Sequence, residues 1–525
     1  MVITRDGIVA TSQVLASQAG AMILADGGSA VDAAIAANAV LGVVEPGMDG
    51  IGGDLFVLYR DAASGKLFGL NAAGWAPQAW TREYFTARKL QRVPSAGIDS
   101  ATVPGCVDGW QKMHQRFGRL PWKRLFDAAI HYAEQGFPLQ EQAFAHWQNK
   151  RVAETEESRR VFLPSGKPPE MGDMFRNPGL GKALRLIASE GARAFYKGEI
   201  ARAILETSKK LGGRMEAADL AEFSSEWVEP ISTVYRGWRV VELPPSGQGM
   251  AALLMLNLME RFAPGKSTNQ AGWMHTKIES MKLAYADLSA YVGDPKFVRV
   301  PVDKLLSKDY AAGRAALIDP RKANCSVPAG SVSSDTTYLA AVDRQGNIAS
   351  WIQSVSGSWG SGVVAEGMGF HLHNRGSGFR LDASHPNVVA PRKRPFHTII
   401  PGYMEKDEWQ IGFGIMSGAN QPLAHAQFVS NMADHGMNLQ AALEAPRFTK
   451  GNSQGCDVTV ESRIGEAAIA ELTKLGHKPQ VRGEHSARMG RGNAVMRNAR
   501  TNVNYGASDS RADGAAIPQP VRTPQ

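Results

Sequence analysis

An α+β fold is what the residue patterns of this chain predict, and three observations carry that expectation. Apolar residues recur at helical spacing in two stretches near the N-terminus. The same periodicity dominates a long middle region, and β-prone pairs of segments joined by short polar turns follow from Thr336 onward. The 525 residues, 43% of them apolar, suffice for one large core or for several ordinary domains. No stretch approaches the roughly 18 uncharged apolar residues that a membrane helix needs.

Taken in order, Leu15, Ala19, Met22 and Ile23 share one face of a first helix, which Gly27 and Gly28 end. Ser29 can cap a second helix, with Asp32 at the capping-box position, and the Ala-rich run from 31 to 44 reads as buried. Pro46 and the glycine-rich run from Gly47 to Gly53 break the chain. Strand-like segments follow at 55–60 and up to Leu70, joined by a turn at 61–65. Residues from about 100 to 320 are mostly helical by pattern, most clearly from 273 to 288, where Met274, Ile278, Met281 and Tyr285 repeat at helical spacing. His275 and Glu279 lie one turn apart there. With no second histidine at metal spacing they read as helix surface.

From Asp319 to Asp335 the chain is small, polar and broken by prolines, as an exposed flexible segment would be. Residues 336–342 are β-prone and apolar, 343–347 form a turn, and 348–355 return as the partner strand. The glycine-rich loop 357–362 lacks the Lys-Ser/Thr ending of a phosphate cradle and reads as a substrate-site loop. His371 and His373 alternate onto one strand face but lack a nearby carboxylate or third histidine, so they read as structural rather than as metal ligands. The stretch 506–525, rich in Ala, Asp, Pro and Gln, reads as a flexible tail.

The net charge of +8 is spread along the chain. Its one tight basic cluster, Arg392-Lys393-Arg394, reads as a solvated turn, because nucleic-acid binding asks for denser charge with aromatic residues interleaved. Cys106, Cys325 and Cys456 are scattered, odd in number and form no CxxC pair, so neither disulfides nor a zinc site is expected. With no secretory signal visible, a cytoplasmic location is expected. No cofactor, metal, nucleic acid or membrane partner is expected.

Chemistry points to Thr336. A threonine hydroxyl is a weak nucleophile unless a base stands within hydrogen-bond reach. Cleavage of the bond after Asp335 would give Thr336 a free α-amine with a pKa of about 8, a general base built into the same residue. Such a site also needs backbone donors for an oxyanion and a pocket for the acyl group. The segment Ser417-Gly418-Ala419 suits the first need, since glycine lets backbone approach a substrate closely. On residues alone, a Thr-Thr pair opening a strand is usually plain β-propensity.

The motif order settles more. The chain carries Ala10-Thr-Ser12, Gly27 to Ala34, Val44-Glu-Pro46, Gly50-Ile-Gly-Gly53, Thr102-Val-Pro-Gly105, Pro244-Pro-Ser-Gly-Gln-Gly249 and Glu279 to Asp287. Asp335-Thr-Thr-Tyr338, Asp343-Arg-Gln-Gly-Asn347, Trp359-Gly-Ser-Gly362, Asn374, Lys393-Arg-Pro395 and Ser508-Asp-Ser-Arg511 follow, then Asp513-Gly514. From about Gly7 to Ala516 this resembles the γ-glutamyltranspeptidase (glutathione hydrolase) family of N-terminal nucleophile hydrolases, closest in pattern to its glutathione hydrolase-like branch.

The resemblance implies a four-layer αββα sandwich with a largely helical middle region. It implies autocleavage between Asp335 and Thr336, with fragments 1–335 and 336–525 remaining together as a heterodimer. Thr336 matches the nucleophile. Ser354 and Ser356 match a threonine and an asparagine that line the site, and Ser417 and Gly418 match the glycine pair of the oxyanion hole. Ala73 stands where the family grips the α-carboxylate of the glutamyl group with arginine, and Gly378 where it grips the α-amine with aspartate. His397 and Thr398 replace paired serines, and Arg375 a substrate-contacting glutamine or glutamate.

Each lost charge-assisted hydrogen bond removes about 1.5–3 kcal/mol, so glutathione recognition is expected to be weak. Arg375, a cation near the lost aspartate's place, would favour an acidic group on the donor, and a surface or structural arginine is the equal alternative. The expected activity is hydrolysis or transfer of an acyl group from a small amide or γ-glutamyl-like substrate. A glutaryl- or cephalosporin-type acylase and a non-catalytic binding homologue are the alternatives.

Overall fold

The computed structural model describes residues 1–326, 335–450 and 454–521. Two seven-stranded antiparallel sheets form its centre. The first runs Ala515–Pro518, Ile8–Thr11, Asp335–Val342, Ile348–Ser356, Asp54–Arg60, Leu67–Ala72 and Glu226–Val228. The second runs Val2–Thr4, Val503–Ser508, Arg491–Asn498, Trp409–Met416, Gly402–Lys406, Trp238–Glu242 and Ile231–Tyr235.

Strand periodicity explains the layering. Tyr338, Ala340 and Val342 join Phe56, Leu58, Ile348, Ile352, Tyr403 and Val495 in the core between the sheets. The alternate residues Leu339 and Ala341, with Val57, Ala349 and Trp351, face outward against helices Val14–Ala25, Ala30–Val44, Cys106–Phe117 and Asp127–Gln135. Met404, Ile411, Phe413 and Met496 leave the second sheet on its far side to meet helices Gly249–Met259, Ala271–Tyr291 and Gln421–Ala433. With both faces of both sheets buried, strands read as continuous apolar runs. The result is the expected αββα sandwich. The sheets approach closely where a side chain at Gly414 would run into the Tyr338 ring.

Several expectations need correction. Residues 506–521 are not a tail: Ala515–Pro518 pairs with Ile8–Thr11, and Asp513 Oδ2 accepts from the Gln142 amide at 2.8 Å. Cys325 and Cys456, 131 residues apart, form a disulfide with a Cα–Cα distance of 5.0 Å; chain spacing hid a contact made only in the fold. Lys393 and Arg394 are buried rather than solvated, and Arg394 donates to Ala73 O, Ser224 O and Glu226 Oε1.

His275 and Glu279 are buried, not surface residues, and the second histidine is His477, whose Nε2 lies 2.8 Å from His275 Nδ1. These three side chains bring ligand atoms within 4.8 Å of one another, but the Lys282 ammonium, 2.6 Å from Glu279, occupies the place of a cation there. Of the supposed flexible segment, 319–326 is held by hydrogen bonds and 327–334 lies outside the described residues. Among the described residues, no helix is long and apolar enough to cross a membrane.

Candidate active site

Thr336 stands opposite an irregularity in the partner strand Ile348–Ser356. Asp335 pairs with Ser356 and Thr337 with Gln353, so the register shifts across Thr336. A bulge of this kind re-aims one side chain without ending the sheet. The side chain is fully buried, on the face that carries Tyr338 and Ala340 toward the second sheet.

Two polar groups reach its hydroxyl. Ser354 Oγ lies 3.4 Å from Thr336 Oγ1, and Gln421 Nε2 donates to Thr336 Oγ1 at 3.4 Å. Ser354 Oγ in turn accepts the Ser356 backbone N–H at 2.8 Å and an Arg375 N–H at 3.3 Å. Contacts this long tighten in catalytic complexes rather than in resting states. Ser356 at φ 78° and Ser417 at φ 151° hold side-chain-bearing residues at positive φ on either side of the site. Such strain, on the order of 1–3 kcal/mol per residue, persists where surrounding contacts over-determine the backbone.

Arg375 does not present a free charge. It is buried, its Nη1 donates to Thr398 Oγ1 at 2.7 Å, and its Nε lies 3.9 Å from Asp54 Oδ2. Burial pushes the guanidinium pKa down to about 10, against the pull of Asp54. Burial alone would raise the Asp54 carboxyl, but His373 and His397 outweigh it and hold that carboxyl well below the usual range. His397 Nε2 lies 2.9 Å from Asp54 Oδ2, and His373 Nδ1 lies 3.3 Å from the same oxygen. Burial, reinforced by Arg375, pushes the His397 pKa down to about 3, so its ring is neutral and donates to Asp54. The carboxylate therefore ties together His397, His373 and Arg375, and through Arg375 both Ser354 and Thr398.

The turn at Ser417 and Gly418 joins strand Trp409–Met416 to helix Gln421–Ala433, and so lies directly ahead of Gln421 in the chain. Gln248 Nε2 donates to Gly418 O at 2.8 Å and also to Thr398 O. The Gln248 amide donates to His397 O and the His397 amide to Ser246 O, both at 3.0 Å. The Pro244–Gly249 motif is thus the strut between the residues at 397–398 and the turn at 417–418.

Beside this turn opens a pocket of about 50 Å³, lined by Gln248, Tyr285, Gly378, Arg380, Phe396 and Ala419 among others. Tyr285 donates its hydroxyl to Ala419 O. A Cβ on Gly378 would meet only Phe396 O, at 3.5 Å, so the missing side chain leaves open space. Ala73 sits apart, packed in the core between the sheets.

The residues singled out from sequence converge: Thr336, Ser354, Arg375 and Thr398 form one connected chain of contacts, with His397 joined through Asp54 and Gly418 through Gln248. Ser356 contributes its backbone N–H. Sequence reasoning missed Gln421, Asp54, Gln248 and His373 as parts of this set. Gln248 lay inside a quoted motif and Asp54 follows the Gly50–Gly53 run, whereas nothing local marks Gln421.

Comparison with known proteins gives the family. The Gamma-glutamyltranspeptidase family profile matches residues 16–519. The chain is 36% identical over 522 residues to the glutathione hydrolase-like YwrD proenzyme of Bacillus subtilis, covering 97% of this chain and 98% of that one. It is 32% identical over 530 residues to the oxamate amidohydrolase proenzyme of Klebsiella pneumoniae, covering 98% of each. The crystal structure of cephalosporin acylase from Bacillus halodurans superposes with a TM-score of 0.93 at 39% identity, over 99% of this chain and 97% of that one. With its sandwich fold, its buried threonine at the head of a central strand and this whole-length likeness, the chain belongs to the gamma-glutamyltranspeptidase family.

Proposed function

We propose that Thr336, once the bond after Asp335 is cut, attacks the carbonyl carbon of an amide substrate and carries its acyl group as an ester. The protein is an enzyme of amide hydrolysis or acyl transfer, and its relatives named above are a glutathione hydrolase-like proenzyme, an oxamate amidohydrolase proenzyme and a cephalosporin acylase. The observation that carries the residue assignment is the buried Thr336 hydroxyl held between Ser354 and Gln421.

In the proposed cycle the freed α-amine takes the hydroxyl proton as Oγ1 bonds to the carbonyl carbon. The resulting oxyanion faces the backbone N–H groups of Ser417 and Gly418, whose positive-φ turn presents amides without needing a particular side chain. The protonated amine returns its proton to the leaving nitrogen as the C–N bond breaks. Water, or an amine acceptor, then attacks the threonyl ester and restores the hydroxyl. Ser354 and Gln421 orient the nucleophile, and Arg375 acts as a positioning residue through Ser354 and Thr398.

For the acyl donor, we infer a side chain without an α-amino group, because Gly378 leaves the pocket wall empty of any carboxylate to meet an amine. The experiment is acid-quenched trapping with a chromogenic anilide. A stoichiometric burst of aniline is expected, together with a hydroxylamine-labile acyl group on the peptide that begins at Thr336. Burst kinetics with the label on any other residue would overturn the assignment.

A further inference from the structure

The segment 319–326, the last described before the proposed cut, forms neither helix nor strand. What holds it comes from both sides of the cleavage point. From its own side, helix Ala271–Tyr291 supplies His275, whose Nε2 lies 2.9 Å from Asp319 O. The same helix supplies Lys282, which donates to Asn324 O at 2.9 Å, and Glu279, which accepts the Asn324 amide at 3.3 Å. From the far side, Leu475 O accepts the Ala323 amide at 2.7 Å, the Gly455 amide donates to Cys325 O at 3.0 Å, and Cys456 closes the disulfide with Cys325.

Cys456 is itself fixed. Its carbonyl accepts the Lys478 amide at 2.6 Å, at the start of the parallel pairing between Asp457–Glu461 and Lys478–Arg482. The His275–His477 contact bridges the same two parts of the chain beneath this anchor.

We propose that the Cys325–Cys456 disulfide is a covalent bond between the two fragments of the mature protein, docking the end of the N-terminal fragment onto the C-terminal one. The proposal rests on cleavage before Thr336, which leaves Cys325 in one fragment and Cys456 in the other. In the uncut chain the bond closes a loop that the backbone already spans. After the cut it is the fragments' one cysteine link, because the only other cysteine, Cys106, is free and buried. Fragment association then becomes intramolecular, and unfolding no longer depends on protein concentration.

Formation of the bond removes two protons and two electrons from the Cys325 and Cys456 thiols, transferred by exchange to a disulfide-bearing oxidant that is itself reduced to two thiols. A dithiol reductant reverses the step and leaves as its own disulfide, reaching the bond from the exposed Cys325 side. The link persists in an oxidising compartment and opens in a reducing cytosol.

The test is a denaturing gel of purified, alkylated protein with and without dithiothreitol, paired with a thiol count in guanidinium. One 56.5 kDa species without reductant, two fragments with it, and a single thiol from Cys106 are expected. Cys456→Ser should release two fragments without reductant. Should that variant misfold, dithiothreitol-treated wild type replaces it, and its melting temperature should fall on dilution while that of the untreated protein stays constant. Two fragments in both lanes with three free thiols would overturn the tether and leave cleavage standing. One full-length band in both lanes would overturn cleavage itself, and the inter-fragment bond with it.

Discussion

Gln421 reaches across from the second sheet's helical layer to place its Nε2 3.4 Å from the Thr336 hydroxyl, while its Oε1 accepts the Ile400 amide at 2.9 Å. One side chain thus pins the wall of the site and touches the nucleophile. Gln421→Glu keeps the acceptor for Ile400 and removes the donor toward Thr336. One lost hydrogen bond, about 0.5–1.5 kcal/mol, predicts a fall in kcat/KM of up to about tenfold. Steady-state kinetics on an anilide donor check this, and an unchanged kcat/KM would remove Gln421 from the account.

The buried pair Asp54–Arg375 makes a stability prediction of a different kind. Arg375→Met leaves the Asp54 carboxylate buried without its cation and should destabilise the fold by about 3–5 kcal/mol. Asp54→Asn together with Arg375→Met should recover most of that loss, since no lone charge then remains. Urea unfolding of the four proteins in the cycle tests it; additive losses would mean that the two residues do not interact.

Gly378 offers a gain-of-function test. A side chain there points into open space, so Gly378→Asp should fold normally and place a carboxylate in the pocket wall. The ratio of kcat/KM for γ-glutamyl anilide over glutaryl anilide should rise by about 10- to 150-fold, the size of one charge-assisted hydrogen bond. A ratio that does not move would place the acyl group elsewhere.

Buried histidines set a pH dependence. Burial pushes His371 down to about 3, as it does His397, and burial reinforced by Arg491 does the same to the partly buried His146. In the unfolded chain the same rings titrate at about 6.5, so acid protonates the unfolded state first. Their contribution is present in full above that pH and is lost as pH falls toward 3. The urea midpoint should therefore drop between pH 7 and pH 5, and His371→Asn should flatten part of that slope. A midpoint independent of pH in this window would contradict the burial.

What could be read from sequence was local. The capping box of Ser29 and Asp32 formed as expected, and so did the hairpin of Asp335–Val342 with Ile348–Ser356. The helix Ala271–Tyr291 was visible from its apolar spacing, yet its polar side also lies buried against the chain from 319 to 326. Contacts between distant segments left no local trace. Asp54 gives Arg375 a counter-charge, Cys456 finds Cys325, and Ala515–Pro518 completes a sheet begun by Ile8–Thr11. A residue such as Gln421, an ordinary helix former, is marked only by what stands opposite it.

In the proposed cycle the working nucleophile is an N-terminal threonine. Intact-mass analysis of the reduced, purified protein, with sequencing of the smaller fragment, tests it most directly. Two chains are expected, the smaller beginning Thr-Thr-Tyr-Leu, and a single uncut chain for Thr336→Ala. An uncut wild-type chain that still turns over amide substrate would contradict it.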